Sequence, residues 1–160
     1  MRFLTRRSVS LALAVLAVGT VRQNAAASPR MTVNKDPNCG CCAGWVEHVR
    51  SAGFDTLVNE VSDLAPLKSR LSIPPSLASC HTAQVDGYVI EGHVPASAIR
   101  RLLSERPQAT GLAVPGMPVG SPGMEVPGNP AETYDVVLFG PAGQKVYAKY
   151  EGTKELGVQH

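Results

Sequence analysis

The sequence predicts an α/β domain in which a mixed sheet is flanked by helices and ends in a C-terminal β-hairpin. Strand patterns alternate with helical patterns over most of the chain, and two β-rich runs near its end flank a glycine-containing turn. The chain has 160 residues, and without its first 27 it is still long enough to form one hydrophobic core. We therefore expect a single domain at residues 28–160.

The first 27 residues have the pattern of a secretory signal peptide. Arg2, Arg6 and Arg7 precede the uncharged stretch 8–21, which is rich in Leu, Ala and Val, and three alanines ending at Ala27 offer an Ala-x-Ala cleavage site. We expect export to the periplasm or beyond, by the general secretory route or, given the paired arginines, the twin-arginine route. A retained membrane anchor is the alternative, because the stretch approaches the roughly 20 residues of a membrane span.

The net charge argues against two classes of partner. The whole chain has a formal charge of +2, but every charged residue of the first 27 is an arginine. Cleavage therefore leaves a slight acidic excess and no basic stripe, such as nucleic acid or an anionic membrane would require. We expect no nucleic-acid partner, and no membrane contact once the signal peptide has been removed.

The mature chain opens with a strand, a cysteine loop and a helix. Residues 31–35 alternate weakly between polar and apolar types and lead into a proline-containing turn, which predicts a short strand. Helical spacing then places Trp45, Val46 and Val49 on one face, and Gly53 supplies a stop.

Further strands and helices follow this unit. Residues 54–61 predict a second strand, and Asp63 is suited to cap a helix that ends before a proline pair. Residues 87–91 follow an Asp-Gly turn and predict a strand at or next to the centre of the sheet, with a helix beginning near Pro95. The apolar residues expected to face the core from the two helices are Leu64, Leu67, Leu71, Ile99, Leu102 and Leu103.

The last third of the chain contains a long loop and a hairpin. Residues 134–139 and 145–150 flank a turn with two glycines, which predicts the hairpin. Before it, residues 114–130 read VPGMPVGSPGMEVPGNP, a density of proline and glycine that excludes a helix or an inner strand. Loops of this length are usually functional or disordered, and Met117 and Met124 favour a functional loop over a linker.

Two of the four cysteines form a Cys-x-x-Cys pair, Cys39 with Cys42, between the first strand and the first helix. Thioredoxin-type proteins carry their cysteines at this place, so the unit predicts a thioredoxin-like fold. The unpaired N–H groups and the dipole of a helix N-terminus stabilise a thiolate, which serves disulfide exchange and metal binding alike. Structural disulfides are an alternative, although the adjacency of Cys41 and Cys42 makes two relaxed bridges difficult to draw.

Further soft ligands favour metal binding over disulfide exchange. Cys41 lies inside the loop, and Cys80 precedes the 87–91 strand, whose approach faces the Cys-x-x-Cys loop in a thioredoxin-like fold. Thiolates and thioethers select copper(I), and sulfur can bridge two ions, so a multinuclear copper centre is chemically reasonable. Zinc is the competing metal, although adjacent cysteines depart from its usual ligand spacing.

Histidines and methionines are candidates for the outer or open positions of such a centre. His81 is adjacent to Cys80, and His93 lies between a strand and a helix. Met117 and Met124 could contribute thioethers from the loop. For each of the four, an ordinary packing or hydrogen-bonding role is the alternative.

Three motifs, DPNCGCCAGW, SCHTAQVDGYVIEGHVPASAI and GLAVPGMPVGSPGME, occur in this order. Over residues 33–150 the sequence thereby closely resembles the CopG-type copper-resistance proteins of bacteria. The resemblance implies an exported thioredoxin-like protein that binds copper through its cysteines, with a redox role as a further option.

The predicted function is therefore copper(I) binding in copper resistance, with other exported copper-handling proteins as partners and copper oxidoreductase activity left open. The alternative is a thiol-disulfide oxidoreductase that uses Cys39 and Cys42. A structural zinc module is a third reading.

Overall fold

The protein is described here by a computed structural model that covers residues 28–157. The predicted signal peptide, residues 1–27, lies outside the described residues, so the structure does not test it. In chain order the elements are β1 (Arg30–Lys35), α1 (Gly40–Ser51), β2 (Asp55–Glu60), α2 (Ala65–Arg70), a 3₁₀ turn (Pro75–Leu77), β3 (His81–Val85), β4 (Tyr88–Glu91), α3 (Ala96–Glu105), β5 (Gly111–Ala113), β6 (Thr133–Gly140), β7 (Gly143–Glu151) and β8 (Lys154–Glu155).

The strands form one mixed sheet of eight strands in the order β2-β1-β3-β4-β5-β6-β7-β8. The β1/β2 and β4/β5 pairs are parallel, and the other neighbours are antiparallel. The predicted α/β class, with a mixed sheet and few helices, is confirmed. None of the helices described between residues 28 and 157 is long and apolar enough to cross a membrane.

Buried side chains lie on both faces of the sheet. Ile90 and Leu112 belong to the larger apolar cluster, together with residues of α1 and α3. Their neighbours Val89 and Ala113 belong to a smaller cluster with Leu77 of the 3₁₀ turn. Because successive side chains of a strand point to opposite faces, α1 and α3 cover one face of the sheet, and the 3₁₀ turn covers the other.

The first unit has the predicted form. Trp45, Val46 and Val49 of α1 are buried, as helical spacing requires. The helix begins at Gly40, ahead of Trp45, the first residue of its predicted apolar face; Cys39 is the N-cap, and its sulfur accepts a hydrogen bond from the backbone N–H of Cys42 at 3.3 Å. The chain leaves the helix through Gly53, whose φ of 87° suits glycine.

The second helix is shorter and less buried than predicted. Leu64, Leu67 and Leu71 are only half-buried, and none of the six residues of α2 is fully buried. A hydrogen bond from the backbone N–H of Ala65 to Asp63 Oδ1, at 2.9 Å, does support the predicted start of the helix. The deeper apolar residues, Ile73 and Leu77, come from the segment after the helix.

The later elements follow the prediction with additions. The 87–91 strand is β4, which is buried on both faces and lies fourth in the sheet, and the predicted hairpin is the β6/β7 pair. Ile99 and Leu102 of α3 are buried, whereas Leu103 is half-buried. Strands β3, β5 and β8 were not predicted from the sequence, and β3 matters most for the site because it begins at His81.

Candidate metal centre

The candidate centre lies at one edge of the sheet, where three segments meet. Lys35 at the end of β1 pairs with His81 at the start of antiparallel β3, so the loop that follows β1 lies beside the residues that precede β3. The end of β4 reaches the same edge, and Glu91 pairs with Thr82 there. Three parts of the chain thus meet at one place: the α1 N-terminus with its cysteines, Cys80 with His81, and His93 after β4.

Four sulfur atoms converge at this edge. The Sγ atoms of Cys39, Cys41, Cys42 and Cys80 all lie within 4.8 Å of one another. The Sγ atoms of Cys39 and Cys41 are 3.3 Å apart, and Cys42, which is fully buried, contacts the carbonyl oxygen of Cys80 at 3.8 Å. The structure therefore brings together the four cysteines that the sequence singles out, at separations that a shared ion could bridge.

Two of these sulfurs are oxidised in this structure. Cys39 and Cys42 form a disulfide, whereas Cys41 and Cys80 are free thiols. Only a deprotonated thiol binds a metal ion, so a centre with four thiolate ligands requires reduction of this disulfide first. The Cys-x-x-Cys pair is thus suited to both chemistries that the sequence left open.

His93 is held in the tautomer that suits a metal ligand. Its Nδ1 lies 2.8 Å from the carbonyl oxygen of Pro122, which can only accept, so Nδ1 carries the proton. Its Nε2 therefore presents a lone pair, and it faces Cys80 Sγ at 3.0 Å. Metal-binding histidines commonly donate their second ring nitrogen to a backbone carbonyl in this way.

His81 also contacts the Cys80 sulfur. Its Nδ1 is 3.3 Å from Cys80 Sγ, while its buried Nε2 has no hydrogen-bond partner among the described residues. The ring packs against Trp45, with centroids 4.4 Å apart, and edge-on against His93 at 5.1 Å. Cys80, His81 and His93 form a second group of donors that share the Cys80 sulfur with the four-sulfur group.

Burial keeps these groups uncharged. Desolvation lowers the pKa of His81 well below its usual value, with the nearby charges of His93 and Lys68 adding to the effect, and desolvation lowers the pKa of His93. Burial, with a further contribution from the neighbouring Cys41 thiol, raises the pKa of Cys80 to about 12. Neutral imidazoles are ready to bind a metal ion, whereas Cys80 must release its proton as the ion binds.

The Pro/Gly loop covers the centre through its backbone. A side chain at Gly123 would lie 2.5 Å from the Cys41 carbonyl oxygen and the Trp45 nitrogen, so only glycine allows this contact with the first turn of α1. The preceding residue, Pro122, provides the carbonyl oxygen that orients His93. Of the two methionines, Met117 is 52% exposed and Met124 is half-buried.

Two further polar contacts were not predicted from the sequence. Glu91 and Lys68 form a buried ion pair beneath Cys80 and His81, and the only sequence signal was an acidic residue inside a strongly apolar strand. His48, to which the sequence assigned no role, accepts a hydrogen bond from the backbone N–H of Ala96 at 3.1 Å. It thereby caps the first turn of α3, a contact that no local pattern indicates.

The donor set fits a soft or borderline metal ion. Thiolates favour copper(I), neutral imidazoles bind copper in both common oxidation states, and tetrahedral zinc accepts the same ligands. An α/β domain in which cysteines and histidines from three segments converge at one sheet edge defines a candidate thiolate–imidazole metal-binding protein.

Comparison with known proteins identifies the family. Two solved structures titled "Copper resistance protein copG", Form 1 and Form 2, are 45% and 44% identical to this chain, with TM-scores of 0.71 and 0.72. Each alignment covers 77% of this chain and 98% of the other. The chain therefore belongs to the CopG family of copper resistance proteins. A family model described as a protein of unknown function, DUF411, matches residues 77–124, and a comparison with curated proteins found no match.

Proposed function

We propose that this protein binds copper(I) outside the cytoplasm, in copper resistance, through the thiolates of Cys39, Cys41, Cys42 and Cys80. The observation that carries the proposal is the convergence of four sulfur atoms, from two segments about 40 residues apart, within 4.8 Å of one another. Membership of a family whose solved members are titled copper resistance proteins supports copper as the metal.

The residues have distinct tasks in this proposal. Thiol-disulfide exchange with an external dithiol, which is itself oxidised to a disulfide, reduces the Cys39–Cys42 bond and provides two thiolates at the N-terminus of α1, where the helix dipole and free N–H groups stabilise negative charge. Cys80 adds a third sulfur after losing its proton, and Cys41 adds a fourth. Sulfur bridges would allow more than one copper ion to be held by so few ligands. His81, His93 and the loop methionines Met117 and Met124 are the proposed outer ligands.

The fold and the location are part of the proposal. A Cys-x-x-Cys pair at the start of a helix that connects two parallel strands supports a thioredoxin-like domain. The N-terminal sequence supports export to the periplasm, with other exported copper-handling proteins as partners. Cell fractionation followed by N-terminal sequencing tests the location, and a mature protein that begins at Ser28 is the expected result.

Metal analysis of the purified protein tests copper binding. The full-length gene is expressed in copper-fed cells, the protein is purified from the periplasm, and its metals are counted by elemental analysis. We expect more than one copper per chain, and a clear decrease in the Cys80→Ser variant because that change removes one of the converging sulfurs. Ala78→Ser, an exposed position in the same segment, is the matched control. Equal copper in wild type and Cys80→Ser would contradict the proposal, and zinc in place of copper would support the structural zinc module.

The disulfide favours a second candidate function, thiol-disulfide exchange by Cys39 and Cys42. This chemistry requires only the pair at the helix N-terminus. Insulin reduction by the metal-free protein, undiminished in Cys80→Ser, would support it. A third activity, oxidation or reduction of copper itself, is consistent with the mixture of thiolate and imidazole donors, and loaded protein that neither oxidises nor reduces copper would exclude it.

A further inference from the structure

Glu91 is a fully buried carboxylate that lies next to the candidate centre. It accepts a hydrogen bond from the backbone N–H of Ser79 at 2.6 Å and another from Thr82 Oγ1 at 2.7 Å, and it pairs with the ammonium group of Lys68. Ser79 directly precedes Cys80, and Thr82 directly follows His81. One carboxylate therefore binds the residues on both sides of two adjacent candidate ligands, through a backbone N–H at Ser79 and a side-chain hydroxyl at Thr82.

Glu91 does not itself face the metal site. It alternates with Ile90 on β4, and its partner Thr82 alternates with His81 on β3, so the Glu91 side chain lies on the sheet face opposite His81. Glu91 is also absent from both groups of converging donors. Any influence on the centre must therefore pass through the backbone of residues 79–82.

Lys68 completes the network from α2. Its side chain is only 15% exposed, and it donates to Thr82 Oγ1 at 2.9 Å in addition to pairing with Glu91. None of the residues of α2 is fully buried, and Lys68 joins the helix to the sheet through its contacts with Glu91 and Thr82. A buried ion pair is often no more stabilising than apolar residues of the same volume, and its best-attested benefit is conformational specificity. Here it would specify the path of residues 79–82.

His93, the third donor of this group, is connected to the same hydrogen bonds through Gly92. Gly92, which follows Glu91, donates its backbone N–H to the carbonyl oxygen of His81 at 3.0 Å. A side chain at Gly92 would lie 2.5 Å from Ser79 Oγ, so the two segments are in close contact. His93 is the next residue. Cys80, His81 and His93 thus each lie within two residues of Ser79, Thr82 or Gly92, which the hydrogen bonds around Glu91 hold in place.

We propose that Glu91, held by Lys68, is a positioning residue of the metal centre, which aims Cys80 and His81 at the α1 cysteines through the backbone of residues 79–82. This inference rests on the proposed function, since it assigns a role in the same site. Loss of a supporting group outside the ligand set typically weakens metal binding 10- to 100-fold.

Copper(I) affinity provides the first test. The reduced full chain is titrated without oxygen in competition with a chromophoric copper(I) chelator. Glu91→Gln is expected to bind about tenfold more weakly than wild type. Thr82→Val, which removes one hydroxyl contact and keeps the ion pair, is expected to weaken binding less, and Thr82→Ser, which restores the hydroxyl, should bind like wild type. Thr82→Val keeps the test decisive if Glu91→Gln does not fold.

A control separates positioning from general destabilisation. Arg101 joins α3 to β7 and β8 through Tyr147 and Glu155, far along the sheet from the cysteines. Arg101→Met should lower the stability of the fold and leave copper affinity unchanged. If Arg101→Met weakens binding as much as Glu91→Gln does, the positioning role is refuted.

A metal-free measurement distinguishes failure of this inference from failure of the proposed function. In a Cys39→Ser/Cys42→Ser background, diamide oxidises the Cys41 and Cys80 thiols to a disulfide and is itself reduced to the hydrazine. The rate reports how closely the two sulfurs approach, and Glu91→Gln should slow it several-fold. A slowed rate supports positioning even if wild type binds no copper. An unchanged rate together with unchanged copper affinity overturns it.

Discussion

The two segments that meet at the candidate metal centre are held in place by different forces. The α1 segment is fixed by apolar packing, since Trp45 and Val49 are fully buried against the sheet. The short segment from Ser79 to Thr82 is held by a buried ion pair and its hydrogen bonds. Apolar packing can be predicted from the spacing of apolar residues along the chain, whereas an ion pair between distant residues cannot. The two segments should therefore respond differently to substitution.

Breaking the ion pair should have the largest effect on stability. Lys68→Met leaves Glu91 buried without its partner, which typically costs about 3 to 5 kcal/mol. The double variant Lys68→Met/Glu91→Leu removes both charges and should recover most of that loss, as measured by urea unfolding, while copper binding stays weak. A double variant as unstable as the single one would show that the pair supplies stability rather than position.

Truncation of an apolar side chain in α1 should lower the stability of the fold without weakening copper binding. Val49→Ala removes buried methyl groups from α1 and should cost about 2 kcal/mol in the free energy of unfolding. Copper affinity measured on the folded protein should remain near that of wild type, because Val49 lies about two helical turns beyond Cys42 and the buried Trp45 still holds the cysteine end of α1. Val146→Ala, at a position 44% exposed, is the matched control and should cost little. Weakened copper binding in Val49→Ala would argue against a difference between α1 and the segment that the ion pair holds.

A pair of glycine substitutions tests whether the Pro/Gly loop, residues 114–130, covers the candidate centre. Gly123 and Gly128 both have positive φ, at 86° and 84°, so alanine strains the backbone at either position by about 1 kcal/mol. Only at Gly123 would the new side chain also clash with α1, whereas at Gly128 nothing lies within 4 Å. Gly123→Ala should therefore expose Cys80 to a thiol reagent, and Gly128→Ala should not. Equal labelling rates in the two variants would contradict a covering role for the loop.

The smallest expected effect concerns pH and the start of α3. Burial lowers the pKa of His48 below its usual 6.5, and Glu125 partly opposes the shift. The unfolded chain therefore takes up a proton first, so the contribution of His48 to stability is present above pH 6.5 and is lost as the pH falls below it. His48→Gln keeps a hydrogen-bond acceptor that does not titrate. Urea unfolding at pH 7.5 and 5.5 should show a smaller loss of stability in this variant than in wild type.

Local pattern was sufficient for the elements that bury an apolar face. It predicted the buried face of α1, the central strand β4 and the β6/β7 hairpin, and it placed the Cys-x-x-Cys pair at a helix N-terminus. It overestimated α2, because half-buried leucines at helical spacing look the same in sequence as a buried face. It missed β3 because His81, Thr82 and Gln84 interrupt the apolar run, although four of its five residues are buried.

The candidate site was predictable as a list of residues but not as a geometry. Soft side chains in two short motifs indicated the donors, and the order of the elements indicated that the motifs meet. The Lys68–Glu91 pair, the carbonyl that orients His93 and the His48 cap join residues 23 to 48 positions apart. Such contacts follow from the topology of the sheet and leave no periodic trace in the sequence.

Copper K-edge X-ray absorption of the reduced, copper-loaded chain would show whether both segments bind the same copper, because it reports which atoms surround the metal. We expect coordination dominated by sulfur in wild type, and fewer sulfur neighbours per copper in Cys80→Ser with the other neighbours retained. A shell of nitrogen and oxygen alone, or one that Cys80→Ser leaves unchanged, would contradict the claim that both segments bind the same copper.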